Sequence, residues 1–157
     1  VAGTAVRGPA PDWTAARSAT LHCLLGCTIG EVTGMAIGQG AGWSPVATIA
    51  LSVALAFVAG IALATVRIAR LGLPWRRAVR VAAAAEVVSI SVMELVDNLV
   101  LAVLPGGLTA GPTTALFWGA MAVALAVAFV VTLPVNALLI ARGRGHALVP
   151  HAGGHHT

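Results

Sequence analysis

Residues 20–42 read TLHCLLGCTIGEVTGMAIGQGAG, and the fold follows from how this stretch is divided into faces. It is longer than the ~20 residues that cross ~30 Å of hydrocarbon as a helix. Side chains four apart share a helix face. His22, Gly26, Gly30, Gly34 and Gly38 therefore form one stripe, and Cys23, Cys27, Glu31, Met35 and Gln39 form its neighbour. The glycine stripe is the small-xxx-small pattern that lets a second helix come close, so it is read as a packing surface. Beside it runs a ladder of thiol, thiol, carboxyl, thioether and amide. At about 1.5 Å per residue, Cys23 to Met35 covers about 18 Å of depth.

Three further apolar stretches, residues 46–66, 81–104 and 113–140, are each long enough to span. Of the 157 residues, 59% are hydrophobic and only 9% charged, with a mean hydropathy of +0.95. A soluble domain carries about 25% charged residues, so this composition cannot clothe a water-facing surface. The expected fold is all-α, a four-span transmembrane helix bundle over residues 20–147. Residues 1–19 precede it as a polar, interfacial segment in which Asp12 caps a short helix; they do not read as a cleavable signal. Residues 148–157 follow as a flexible, His-containing tail. With His146, the tail histidines His151, His155 and His156 have the composition of a weak metal binder. Pro134 is a candidate kink in the fourth span.

Orientation is read from the arginines. Arg7 and Arg17 precede the first span, Arg67, Arg70, Arg76, Arg77 and Arg80 fill the second connection, and Arg142 and Arg144 follow the fourth span. The other two connections, 42–45 and 105–112, carry no charge. All nine arginines thus fall on one side, which the positive-inside rule assigns to the cytoplasm together with both ends of the chain. Trp13 and Trp75 mark that interface, and Trp43 and Trp118 the opposite one. The basic balance reports topology rather than nucleic-acid binding, because the arginines flank spans and lack interleaved aromatics.

Four of the five acids, Glu31, Glu86, Glu94 and Asp97, lie inside spans with no arginine at their depth. A carboxylate in hydrocarbon must be protonated, paired or bound to a cation. In the third span Glu86, Ser89, Met93, Glu94, Asp97 and Asn98 all fall on one half of the helix. Counted by depth, Glu86 is expected near Cys23 and Cys27, Met93 and Glu94 near Glu31, and Asp97 and Asn98 near Met35. The second span is expected to be scaffold, and Asn136 in the fourth to bond across helices. A disulfide between Cys23 and Cys27 is disfavoured, since side chains on successive helical turns fit its geometry poorly.

Three stretches together resemble a bacterial family of small four-helix integral membrane proteins, a domain of unknown function. They are residues 22–31 (HCLLGCTIGE) with Gly34, residues 93–98 (MELVDN), and residues 134–136 (PVN) leading into 142–146 (RGRGH). The resemblance covers residues 20 to 147. It implies a four-span bundle in the bacterial inner (plasma) membrane and supplies no activity.

Function is therefore read from the residues. Thiolates and imidazole suit Cu(I) or Zn(II), so the first reading is a protein binding or moving a soft metal ion, copper or zinc. His22, Cys23 and Cys27 would capture it, and Glu31, Met35, Glu86, Met93, Glu94 and Asp97 would line the site. Gly26, Gly30, Gly34, Gly38, Ser89, Asn98 and Asn136 would supply packing and polar support. The alternative is a proton- or alkali-cation-coupled carrier or channel in which the carboxyls work and the cysteines pack. A membrane metalloenzyme or an assembly subunit ranks lower; no HExxH or G-x-S-x-G motif is present. The partners expected are the lipid bilayer and a second copy of the chain, with the glycine stripe as a candidate interface, and not nucleic acid.

Overall fold

The computed structural model describes residues 10–142, which form four helices: α1 (Trp13–Gly40), α2 (Pro45–Arg70), α3 (Trp75–Val103) and α4 (Ala115–Ala141). Each corresponds to one expected span: α2 contains its span entirely, α1 and α3 begin earlier and stop short of the expected ends, and α4 begins at Ala115 and ends at Ala141, both later than expected. The largest difference is at the start of α1. Asp12 does cap a helix, its carboxylate accepting from the backbone N–H groups of Thr14 and Ala15 at 3.0 Å each. That helix is not a separate interfacial piece but runs unbroken into the span, because residues 13–19 contain no glycine or proline to stop it. Residues 1–9 and 143–157, with His146 and the tail histidines, lie outside the described residues.

Two short connections make the first three helices antiparallel neighbours. After α1, Gly42 takes φ +69°, the Gly42 N–H donates to the Gln39 carbonyl and the Trp43 N–H to the Gly38 carbonyl. This is a Schellman stop, which needs a left-handed residue that glycine adopts without strain. Ser44 then caps α2, with Pro45 in its first turn. Around the bundle, α1 touches α2 and α4, α3 touches α2 and α4, and α1 meets α3 across the diagonal.

The α1–α2 contact is the most extensive, and glycine is the reason. A Cβ added at Gly30 would overlap the backbone of Ala56; at Gly34 it would overlap Ser52, and at Gly26 the backbone of Gly60. Gly38 is closed in the same way by the Thr48 side chain. The facing stripe on α2, Thr48, Ser52, Ala56, Gly60 and Ala64, is itself small and buried. Without a hydrophobic force between helices in lipid, such close van der Waals contact is what holds them together. The glycine stripe is thus occupied within the chain, which leaves it unavailable as an interface between copies.

Three helices, α1, α2 and α4, are long and apolar enough to cross a membrane. α3 is as long but carries Arg76, Arg77 and Arg80 in its first turns and Glu86, Glu94 and Asp97 further along. All three acids are buried, whereas Val87, Val88, Leu95, Leu99 and Val103 face outward. Beyond Arg80, α3 thus turns its acids inward and large apolar side chains outward. Trp13 and Trp75 stand exposed at one end of the bundle, with Arg17, Arg67, Arg70, Arg76, Arg77, Arg80 and Arg142; Trp43 and Trp118 stand exposed at the other. Pro134 lies within α4, pointing outward, and the helix continues through it.

The seam makes a stability prediction with an internal control. Gly30→Ala must push α2 away and should destabilise by about 1–3 kcal/mol as an overpacked contact. Gly119→Ala, whose added Cβ meets nothing within 4 Å, should be neutral or gain up to about 1 kcal/mol of helix propensity. Thermal unfolding in detergent compares them, and equal melting of the two variants would contradict the seam.

Candidate functional site

Contacts between helices set the depth at which each interior side chain lies. α1 and α3 run parallel, with Cys27 facing Glu94 and Glu31 facing Asp97. α4 runs antiparallel to both. Its Asn136 meets Thr20, its Ala128 packs with Cys23, Cys27, Ile90 and Met93, and its Met121 packs with Met35. From the arginine end outward, the interior therefore presents Thr20, Glu86 and Asn136, then Cys23, Ser89 and Thr132, then Cys27, Met93 and Glu94, then Glu31 and Asp97. Last comes an apolar layer of Met35, Phe117 and Met121.

This register differs from the one counted along the spans. Glu31 meets Asp97 most closely, with Glu94 near it as expected, and Cys27 is opposite Glu94 rather than Glu86. Met35 is not level with Asp97 and Asn98 but sits beyond them, against α4 and the α3–α4 connection. Equal counting from span boundaries ignores how α3 seats on its neighbours. Gly60 of α2 lies against Gly26 of α1 and leaves room for the Ile90 side chain of α3, which fixes Gly26 and Ile90 at one level.

Among the described residues, three of the buried carboxyls, Glu31, Glu94 and Asp97, face no basic side chain. Glu31, Glu94 and Asp97 are each 4% exposed or less, and the titratable groups facing them are one another and Cys27. Both oxygens of Glu94, both of Asp97, and Oε2 of Glu31 have no well-aligned hydrogen-bond partner among the described residues. Two carboxylates that meet offer only acceptors. One proton on either supplies the missing donor and removes a repulsion that would be severe in a low dielectric. α4 contributes no ionisable side chain, and those of α2 are confined to Arg67 and Arg70 at its end.

Cys23 and Cys27 are both free thiols, 1% exposed, in one cluster with Met93. The other expected donors are dispersed. His22 is half-buried on the α2-facing stripe, and its Nδ1 lies 3.1 Å from the Ser18 carbonyl oxygen of its own helix. Met35 belongs to the outer apolar layer. Asn98 donates to the Glu94 carbonyl one turn back, not across helices. Among the described residues no group of three or more His, Cys, Asp or Glu side chains is arranged to hold a metal ion.

Asn136 does bond across helices, as its buried position in a span suggested. Its Nδ2 donates to Thr20 Oγ1 at 2.8 Å, and Thr20 Oγ1 donates to the Ala16 carbonyl at 2.8 Å. Gln39 makes a second such tie at the outer end, Nε2 donating to the Ala110 carbonyl at 3.0 Å. The sequence reading passed over Thr20, Thr132, Phe117 and Met121. A signal existed for Thr132, a polar residue one helical turn before Asn136; none marked Phe117 in an apolar span.

Comparison with known proteins matches the family described as Domain of unknown function (DUF4396) over residues 12–145. The chain belongs to that family. Neither the curated proteins nor the solved structures yielded a match.

The cross-helix bond is testable by a double-mutant cycle. Asn136→Leu and Thr20→Val should each destabilise by about 0.5–2 kcal/mol, the range of interhelical hydrogen bonds in membranes. The double variant should cost well less than the sum, whereas additive losses in detergent unfolding would exclude the bond. Glu31→Gln alone should keep the fold, because its amide N–H can donate to Asp97 as a neutral acid would.

Proposed function

We propose that this protein is a four-span membrane protein that binds and passes cations, protons foremost, through the acids of its interior. α3 crosses with the other three helices, since its acids turn inward and its outward face is apolar. The arginine end faces the cytoplasm, in the plasma membrane of a bacterium, and both chain ends lie on that side. The observation that carries the functional reading is the Glu31–Asp97 pair. Two buried carboxyls from different helices face each other with no arginine or histidine opposite, so a proton or another cation must hold them together. Helix glue alone would be served by serine or glutamine without the risk of ionisation. Glu94, next inward and against Cys27, gives an arriving cation a second stop, and conduction needs several sites of modest affinity.

A second reading, a soft-metal site for Cu(I) or Zn(II), is favoured by one observation. Cys23, Cys27 and Met93 share one cluster, and Glu94 faces Cys27. Metal would displace thiol and carboxyl protons, so affinity would rise with pH.

Proteoliposomes loaded with a pH-sensitive dye test the first reading. Imposed potential should drive proton flux that falls at least tenfold in Glu31→Gln/Asp97→Asn and survives in Cys23→Ser/Cys27→Ser. Equal flux in the wild type and the carboxyl variant would exclude it. Copper or zinc that co-purifies with the wild type and is lost from the cysteine variant, without such flux, would select the second reading. Topology is checked separately by labelling single cysteines in a Cys23→Ser/Cys27→Ser background. A cysteine at position 72 should react from the cytoplasmic side and one at position 109 from the outside, and the reverse pattern would invert the orientation.

A further inference from the structure

Most hydroxyls within these helices follow one habit, and three buried ones depart from it. Thr20, Thr28, Thr33, Ser52, Thr65 and Ser91 each donate to the carbonyl one turn back, at 2.6–3.0 Å. This is the default for a hydroxyl in a helix with no better partner. Ser89 and Thr132, 1% and 0% exposed, do not, and their Oγ atoms have no hydrogen-bond partner among the described residues. The third, Thr48, is packed into the glycine seam against Gly38.

Ser89 and Thr132 come from α3 and α4 and lie at one level, that of Cys23. They sit between the Thr20–Asn136 bond on the arginine side and the Cys27–Glu94 contact on the other. The unpartnered oxygens of Glu94, Asp97 and Glu31 continue the same column outward. Beyond Asp97 the column ends at Met35, Phe117 and Met121, which offer no hydrogen-bonding group apart from weakly accepting sulfur. Buried polar atoms left unpaired cost free energy, and internal water is the usual remedy where several of them converge.

We propose that Ser89 and Thr132 bind internal water, forming a relay that delivers protons to the interior carboxyls from the arginine end, while the Met35–Phe117–Met121 layer closes the opposite end. This rests on the carboxyl pair holding a proton, and it adds the side from which that proton exchanges. Each hydroxyl can donate to one water and accept from another, so a proton hops along the column without a bare charge entering hydrocarbon. The groups facing this route are Cys23, Cys27, Glu86 and Glu94; α2 and α4 add no ionisable side chain at this depth.

Infrared spectroscopy of the reconstituted full chain tests the relay. The C=O stretch of a protonated buried carboxyl shifts when its proton exchanges for deuterium after transfer to heavy water. The wild-type band should exchange rapidly, and Ser89→Ala/Thr132→Val, which removes both hydroxyls at nearly constant volume, should slow that exchange at least tenfold. Thr132→Ser with Ser89 intact should exchange like the wild type. Met121→Ala should not slow exchange, because it lies in the closed layer. An unchanged rate in the hydroxyl-free variant, with its band intact, would overturn the relay and leave the carboxyl pair standing. Absence from the wild type of any band that Glu31→Gln/Asp97→Asn removes would overturn the pair, and the relay with it.

Discussion

The close approach of α1 to α2 is the constraint on which the rest depends. Gly26, Gly30, Gly34 and Gly38 admit the α2 backbone where no side chain fits, and that contact fixes the rotation of α1 about its axis. Once the glycine face is committed to α2, the adjacent face carrying Cys23, Cys27 and Glu31 must turn to the bundle interior. Gly60 extends the same logic to the third helix by making room for Ile90, which brings Glu94 and Asp97 level with Cys27 and Glu31. A packing device made of absent side chains thereby places the chemically active ones.

The electrostatics follow from that placement. Water-facing acids would need no explanation, but these are sealed between helices with arginines held at one end of the bundle. Among the described residues no arginine or histidine faces Glu31, Glu94 or Asp97, and on the proposed reading a small cation supplies neutrality at this depth. The proton is the cation that needs no coordination shell, and a carboxyl–carboxyl contact is the geometry it bridges most directly. The dispersal of His22 and Met35 away from the thiols weighs in the same direction, because a soft-metal site gains from converging donors.

Polarity is distributed unevenly along the bundle axis. The buried acids, Ser89, Thr132 and Asn136 lie between the arginine end and Asp97, whereas Met35, Phe117 and Met121 lie beyond it, with Thr48 and Ser52 held in the glycine seam at that depth. Gln39, tied to the Ala110 carbonyl, holds the α3–α4 connection over that apolar layer.

Much of this was legible in the sequence. The number of helices and their approximate extents followed from apolar length, and the two ends of the bundle from arginine and tryptophan positions, because those signals act within each segment alone. The glycine stripe and the acidic face of α3 were legible too, since both are periodic within one helix. What tertiary structure alone decided was which faces meet and at what level. Glu31 closest to Asp97, Cys27 against Glu94 instead of Glu86, and Met35 among Phe117 and Met121 all depend on how far one helix slides along another. That offset is set by interlocking at Gly26, Gly60 and Ile90, contacts between residues distant in the chain, and no periodicity within a single span records it.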